Sequence, residues 1–243
     1  MTAERLDPAQ VEAFRHAREE VLGRVADAAR RAGRDPSSVT LVAVSKTVPA
    51  ERIRAAVAAG LTVLGENRVQ EGAAKIPEVD GAVWHLIGPL QSNKARRAIE
   101  LFDVIESVHT ADLAVRLDGI VASMPGRGPL RVLLQVNVDA DPAKAGFLPA
   151  DLEAAIEALD LLASLDYRGL MTIGRFTDDP EEARPTFVAL RAVGEALRAR
   201  WPRLGPELSM GMSGDYPTAV EEGATIVRVG TALFGDRRVP AEA

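Results

Sequence analysis

Lys46 closes the run Val-Thr-Leu-Val-Ala-Val-Ser-Lys-Thr at residues 39–47, where its type and place point to imine chemistry. The chain has four lysines (46, 75, 94 and 144) against 25 arginines, so a lysine at the end of an apolar run departs from its own habit. Arginine keeps its proton and cannot form a Schiff base; a desolvated lysine amine can. Burying an ammonium is also costly, so its presence there needs a reason. The functional reading is an imine-forming lysine. The structural reading is a lysine whose stem snorkels from a strand end to water.

Two further segments could hold an anion. Ser213-Gly214 precedes Asp215-Tyr216-Pro217, and Gly230-Thr231 separates an apolar run from a short helical stretch. Each combines a hydroxyl with backbone N–H groups at a helix start, which is the donor set that binds phosphate. The alternative is an N-cap serine and a packing glycine. Arg228 shares the strand face of Gly230, pointing toward the interior or mouth of the fold. An interior arginine needs a partner. A phosphate, a pyridine nitrogen, or an ion pair with Glu66 or Asp215 would serve. His85 is an inward candidate on an earlier strand, or else a satisfied core histidine. Lys94, in Gln91-Ser92-Asn93-Lys94, is a rim residue that either attracts an anion or is merely solvated. The three histidines (16, 85 and 109) have no ligand spacing and there is no cysteine, so no metal site is expected. No P-loop, dinucleotide fingerprint or nucleophile elbow is present.

Positioning these residues falls to eight short apolar runs: 39–45, 61–65, 82–87, 103–107, 130–138, 167–172, 206–210 and 225–229. Helical patterns alternate with them near 49–59, 67–76, 91–100, 110–123, 148–163, 180–200 and 215–222. Strict alternation implies a parallel sheet, and eight units imply closure into a (β/α)8 TIM barrel. The length of 243 residues is near the ~250 typical of that fold. The expectation is one domain over residues 1–243. An extra helix within 1–36, capped by Asp7, with Pro8 at its first position and ended near Gly33 and the Asp35-Pro36-Ser37-Ser38 cluster, packs on the barrel. The strand ends carry the polar and glycine-rich segments, including Asn67, His109, Asn137 and Thr172, as the mouth of a barrel should. Hydrophobic content is 47% with only 4% aromatics, so the core is aliphatic. A net charge of −6 argues against nucleic-acid binding. Neither a secretory signal nor a membrane span is visible, and a cytoplasmic protein is expected.

An amine for an imine, a phosphate cradle and an arginine between them match the aldehyde, phosphate and ring nitrogen of pyridoxal 5′-phosphate (PLP). A class I aldolase, which also uses a barrel lysine and a phosphate site, is the competing reading. Visible absorbance separates the two.

The chain resembles the pyridoxal phosphate homeostasis proteins, single-domain relatives of the alanine racemase barrel. The likeness runs through Val42-Ala43-Val44-Ser45-Lys46-Thr47, Gly65-Glu66-Asn67-Arg68-Val69-Gln70-Glu71, Trp84 to Lys94, Gly169-Leu170-Met171-Thr172, Leu208 to Ser213, and Arg228-Val229-Gly230-Thr231. The resemblance implies an internal aldimine on Lys46, a phosphate held by Ser213, Gly230 and Thr231, and Arg228 at the ring nitrogen. It also implies that Asn67, His85, Ser209 and Met210 line the cofactor. Where some relatives carry a second lysine shortly after the aldimine lysine, this chain has Val48. Barrel racemases add a β-rich domain that donates a tyrosine base. Here the sequence ends at Ala243 with only Tyr167 and Tyr216. The expected function is therefore a non-catalytic PLP holder in vitamin B6 homeostasis, with PLP-dependent apoenzymes as recipients and a monomer rather than a dimer. A weakly active amino-acid racemase is the alternative.

Overall fold

A computed structural model of the chain describes residues 6–175 and 177–235. The outer parts of the expected 1–243 span, including residues 1–5 of the N-terminal segment, lie outside those residues. Eight strands alternate with helices: β1 (Thr40–Val44), β2 (Val63–Glu66), β3 (Val83–Leu86), β4 (Val104–Val108), β5 (Leu130–Gln135), β6 (Leu165–Met171), β7 (Glu207–Ser209) and β8 (Ile226–Val229). They form a closed barrel in sequence order, each pair parallel, with β8 returning to β1. The helices are α1 (Pro8–Arg31), α2 (Ala50–Ala58), α3 (Val69–Lys75), α4 (Ala95–Leu101), α5 (Ala111–Ala122), α6 (Pro149–Asp160), α7 (Pro180–Arg200), α8 (Tyr216–Glu221) and α9 (Thr231–Phe234). The expected TIM barrel is the fold observed.

Local chemistry sets the boundaries. Asp7 accepts a hydrogen bond from Ala9 N and Pro8 opens α1, as the sequence predicts. Gly33, at φ +66, ends it: Arg34 N reaches back to Ala29 O at 2.8 Å, the six-residue closure typical of a glycine-terminated helix. Gly60 ends α2 in the same way, with Leu61 N on Ala56 O at 3.0 Å. That closure consumes Leu61, so β2 starts at Val63 and not at the expected 61. β5 stops at Gln135 instead of 138. Beyond it the Asn137 side chain donates to Asp141 O at 2.8 Å and Lys144 O at 3.2 Å, folding the chain back on itself.

Alternation along the strands makes two apolar layers. Val42, Val104, Leu133, Met171 and Ile226 form a small cluster filling the barrel interior. Their neighbours Ala43, Leu64, Leu86, Ile105, Leu134, Leu170 and Val227 belong to the larger cluster between barrel and helices. The α1 helix joins that outer layer through Phe14, Val21 and Val25 and packs on α2, α8 and α9. Its Phe14 ring meets Phe234 edge-on at 5.5 Å between centroids. Among the described residues no helix is long and apolar enough to cross a membrane.

Candidate functional site

Register brings the chemistry-bearing residues to one end of the barrel. Val42 pairs with Arg228 across β1 and β8, and Val44 pairs with Gly65 across β1 and β2. Period two then places Val42, Val44, Arg228 and Gly230 on the inner face. A Cβ built on Gly230 would sit 3.4 Å from Val44 Cβ and 3.5 Å from Val44 O, in ordinary contact with the end of β1. Lys46 lies two residues beyond Val44 in the turn that leaves β1 and is half-buried. Among the described residues its amine makes no hydrogen bond or ion pair.

The loops after β7 and β8 are tied together. Gly230 N donates to Ser213 Oγ at 3.1 Å. Thr231 follows, exposed, and Gly214 has open space around its Cα. The loop from Met210 to Asp215 is held by Asp215, whose Oδ1 accepts from Met212 N at 2.6 Å. Burial pushes the Asp215 carboxyl up, while that N–H and the nearby Arg228 charge oppose the rise. The Gly230 N–H thus joins the two loops through Ser213, and the Ser213 and Thr231 hydroxyls stand at the same rim.

Below this rim lies a buried polar chain that crosses the barrel. Arg228 is 4% exposed. Its Nη1 donates to Ser209 Oγ at 2.6 Å and its Nη2 to Thr172 O at 2.7 Å. Ser209 Oγ donates to Glu106 Oε2 at 2.5 Å, and His85 Nδ1 bonds Glu106 Oε1 at 2.6 Å. Glu106 also lies 3.9 Å from Arg228 Nη1, so it is the carboxylate that balances the buried guanidinium. Burial alone would push the Glu106 carboxyl up. The His85 bond and charge, the Arg228 charge and the Ser209 hydroxyl together outweigh it and hold the group below the ordinary carboxylate range. Burial pushes Arg228 down, against the charges of Glu106 and Asp215. Two of its five N–H donors are spent on Ser209 and Thr172, which leaves donors for a ligand.

At Arg228, Glu66, Met210 and Asn67 the structure adds what the strand pattern alone does not show. The partner of Arg228 is Glu106, which sequence reasoning missed, and not Glu66. The Glu66 carboxylate points out of the barrel, to Ser45 Oγ at 2.8 Å and Lys75 Nζ at 2.7 Å. Met210 is fully buried in the outer apolar cluster. Asn67 is half-buried at the end of β2, and its carbonyl is packed so closely by Gly88 that a Cβ there would lie 2.2 Å from Asn67 O. Lys46, Ser209, Ser213, Arg228, Gly230 and Thr231 gather on β1, β7 and β8, while His85 and Asn67 approach from β3 and β2. His109 only turns back on Ser107 O at 3.0 Å.

Removing Glu106 should be costly, because Ser209 and His85 would lose their shared acceptor and Arg228 the carboxylate 3.9 Å from it. Glu106→Ala is expected to destabilise the fold by about 3–5 kcal/mol, the cost of breaking one side of a buried ion pair. Urea unfolding checks it. The sign of the pH dependence follows from the lowered carboxyl. Its contribution is full above the unfolded value of about 4.3 and is lost as pH falls toward the lower folded value. Wild-type stability should therefore drop on acidification below about pH 4, and the part of that drop due to Glu106 should be missing in the variant.

The donor set fits PLP. An amine, a buried guanidinium and a hydroxyl-and-amide rim are three separate groups that suit an aldehyde, a pyridine nitrogen and a phosphate. Comparison with known proteins bears on the same point. Residues 19–238 match the family described as alanine racemase, N-terminal domain. The pyridoxal phosphate homeostasis protein of Pseudomonas aeruginosa is 45% identical over 227 residues, covering 92% of this chain and 95% of that one. Its counterpart in Vibrio cholerae is 41% identical over 227 residues, covering 90% and 94%. The structure of PipY from Synechococcus elongatus with PLP bound matches with a TM-score of 0.76 at 46% identity, covering 87% of this chain and 100% of that one. Alanine racemase from Corynebacterium glutamicum shares the fold, with a TM-score of 0.67 at 19% identity over 96% of this chain and 64% of that one. The chain belongs to the pyridoxal phosphate homeostasis proteins, within the family of alanine racemase N-terminal domains.

Proposed function

We propose that this protein holds PLP through an imine on Lys46 and serves the intracellular supply of the cofactor without turning over amino acids. The observation that carries the reading is the adjacency of β1 and β8, which sets Lys46, Gly230 and Arg228 around one mouth. In this reading Ser213, Gly230 and Thr231 hold the phosphate. Arg228, steadied by Ser209, meets the ring nitrogen, and Asn67, His85 and the Met210 main chain line the cofactor. The names of the curated relatives and the PLP bound to PipY support the ligand.

Bound PLP supplies an electron sink conjugated to an imine, and the protein decides how strong that sink is. Arg228 carries a positive charge and offers only donors, so a ring nitrogen facing it stays unprotonated. That leaves a weak sink, suited to holding the cofactor. PLP-dependent apoenzymes in the cytoplasm are the proposed recipients, and the proposed working unit is a monomer.

Reductive trapping tests the imine. Purified protein loaded with PLP and treated with borohydride should carry the pyridoxyl group on the peptide containing Lys46. An adduct found mainly on Lys75, Lys94 or Lys144 would refute the assignment.

A further inference from the structure

Lys46 occupies the second position of a tight turn. Val48 N donates to Ser45 O at 3.0 Å, and Thr47, at the third position, has φ +64. Glycine or asparagine suits that conformation; a β-branched residue keeps it only when its surroundings hold it there. Three side chains on the outer side of the barrel wall, Glu66 of β2 and Glu71 and Lys75 of α3, do the holding. Lys75 Nζ, at the end of α3, donates to Ser45 O at 2.9 Å. Thr47 N donates to Glu71 Oε2 at 3.1 Å. Ser45 Oγ and Lys75 Nζ both donate to Glu66 Oε1, at 2.8 and 2.7 Å. Lys75 and Glu71 close the cluster at 3.4 Å. The main chain on both sides of Lys46 is thus bonded to one ionic group that lies behind the barrel wall.

This cluster is an expensive way to fill space. Glu66 is fully buried, and its Oε2 has no hydrogen-bond partner. Burial pushes its carboxyl up, against the bonds and charge of Lys75 and the bond from Ser45. Apolar side chains of the same volume would avoid that desolvation. What they could not do is grip a carbonyl and an amide on either side of one residue. Directional bonds to Ser45 O and Thr47 N fix the peptide planes flanking Lys46, and with them the direction in which its side chain leaves.

We propose that Glu66, Glu71 and Lys75 form a positioning clamp that aims the Lys46 amine into the mouth and so sets how readily it forms an imine. The proposal rests on the reading of Lys46 as the imine lysine. In that step the amine nitrogen becomes doubly bonded to the aldehyde carbon. The carbonyl oxygen leaves as water with the two hydrogens of the neutral amine, and nothing is oxidised or reduced.

The test uses two ligands. PLP reports imine formation by its absorbance in stopped flow. Pyridoxine 5′-phosphate has an alcohol in place of the aldehyde and reports binding alone. Lys75→Met and Glu71→Ala should each slow imine formation at least tenfold, while affinity for pyridoxine 5′-phosphate stays within twofold. Glu71→Gln keeps an acceptor oxygen for Thr47 N and should recover most of the rate. Glu71 is partly exposed, so the Ala and Gln pair decides the matter even if Lys75→Met fails to fold. An unchanged imine rate in Glu71→Ala overturns the clamp. So does a parallel loss of both ligands, which would mark the cluster as merely structural. Lys46→Ala, measured alongside, separates the two readings: imine formation that survives in it overturns the assignment of Lys46 itself.

Discussion

Lys46→Ala is expected to abolish the covalent link to PLP while leaving the barrel folded. The residue is half-buried in the turn after β1, and among the described residues its amine has no partner within the protein. Its removal therefore breaks no hydrogen bond of the fold and opens no cavity in either apolar layer. Thermal unfolding should shift little, since substitutions away from core and buried networks usually stay within about 0.5 kcal/mol. The imine absorbance should vanish, and borohydride should leave no pyridoxyl group on the chain. Phosphate-bearing ligands should still bind, because the rim formed by Ser213, Gly230 and Thr231 does not depend on Lys46. A variant that loses both the imine and its affinity for pyridoxine 5′-phosphate would mean that Lys46 also builds the phosphate site.

The second large effect concerns the phosphate. Hydrogen bonds to a charged group contribute about 1.5–3 kcal/mol each, roughly twice the neutral kind. Two such bonds from the rim amount to about 3–6 kcal/mol, or roughly a 10²- to 10⁴-fold difference in affinity. Pyridoxal should bind more weakly than PLP by a factor in that range, although both carry the aldehyde. Thr231→Val removes one exposed hydroxyl and should narrow the gap about tenfold or more. Isothermal titration of both compounds with wild type and variant makes the comparison. Equal affinities for pyridoxal and PLP would contradict the rim as a phosphate site.

The barrel was legible because its signals are local. Eight apolar runs, separated by helical patterns and glycine stops such as Gly33 and Gly60, each carry their own boundary chemistry. Lys46, Arg228 and Gly230 could be found for a related reason. Each is an unusual residue at a strand end, and alternation says which way a strand residue points. The same parity rule places two further side chains. Ser209 faces inward on β7, so Met210 must face outward, and the structure has it in the outer layer. Glu66 follows inward-facing Gly65, so its carboxylate leaves the barrel toward α3. Glu106 was harder. It stands as a single carboxylate in the buried strand Val-Ile-Glu-Ser-Val. Parity places it inside, but only closure of the barrel brings β4 across to His85, Ser209 and Arg228. The clamp behind Lys46 was likewise unreadable, because it depends on how α3 lies against the end of β1.

Proton exchange most directly separates a site that holds PLP and does little chemistry with it from one that turns over amino acids. Protein loaded with PLP would be incubated with each L-amino acid in deuterated water, and loss of the α-proton followed by NMR. Ordinary enzymes turn over at roughly 1 to 1,000 per second. In the proposed arrangement Arg228 faces the ring nitrogen and weakens the electron sink, so exchange should fall far below that range for every amino acid. Exchange within the enzymatic range for any one amino acid, lost in Lys46→Ala, would contradict the account and make the protein a racemase-like enzyme.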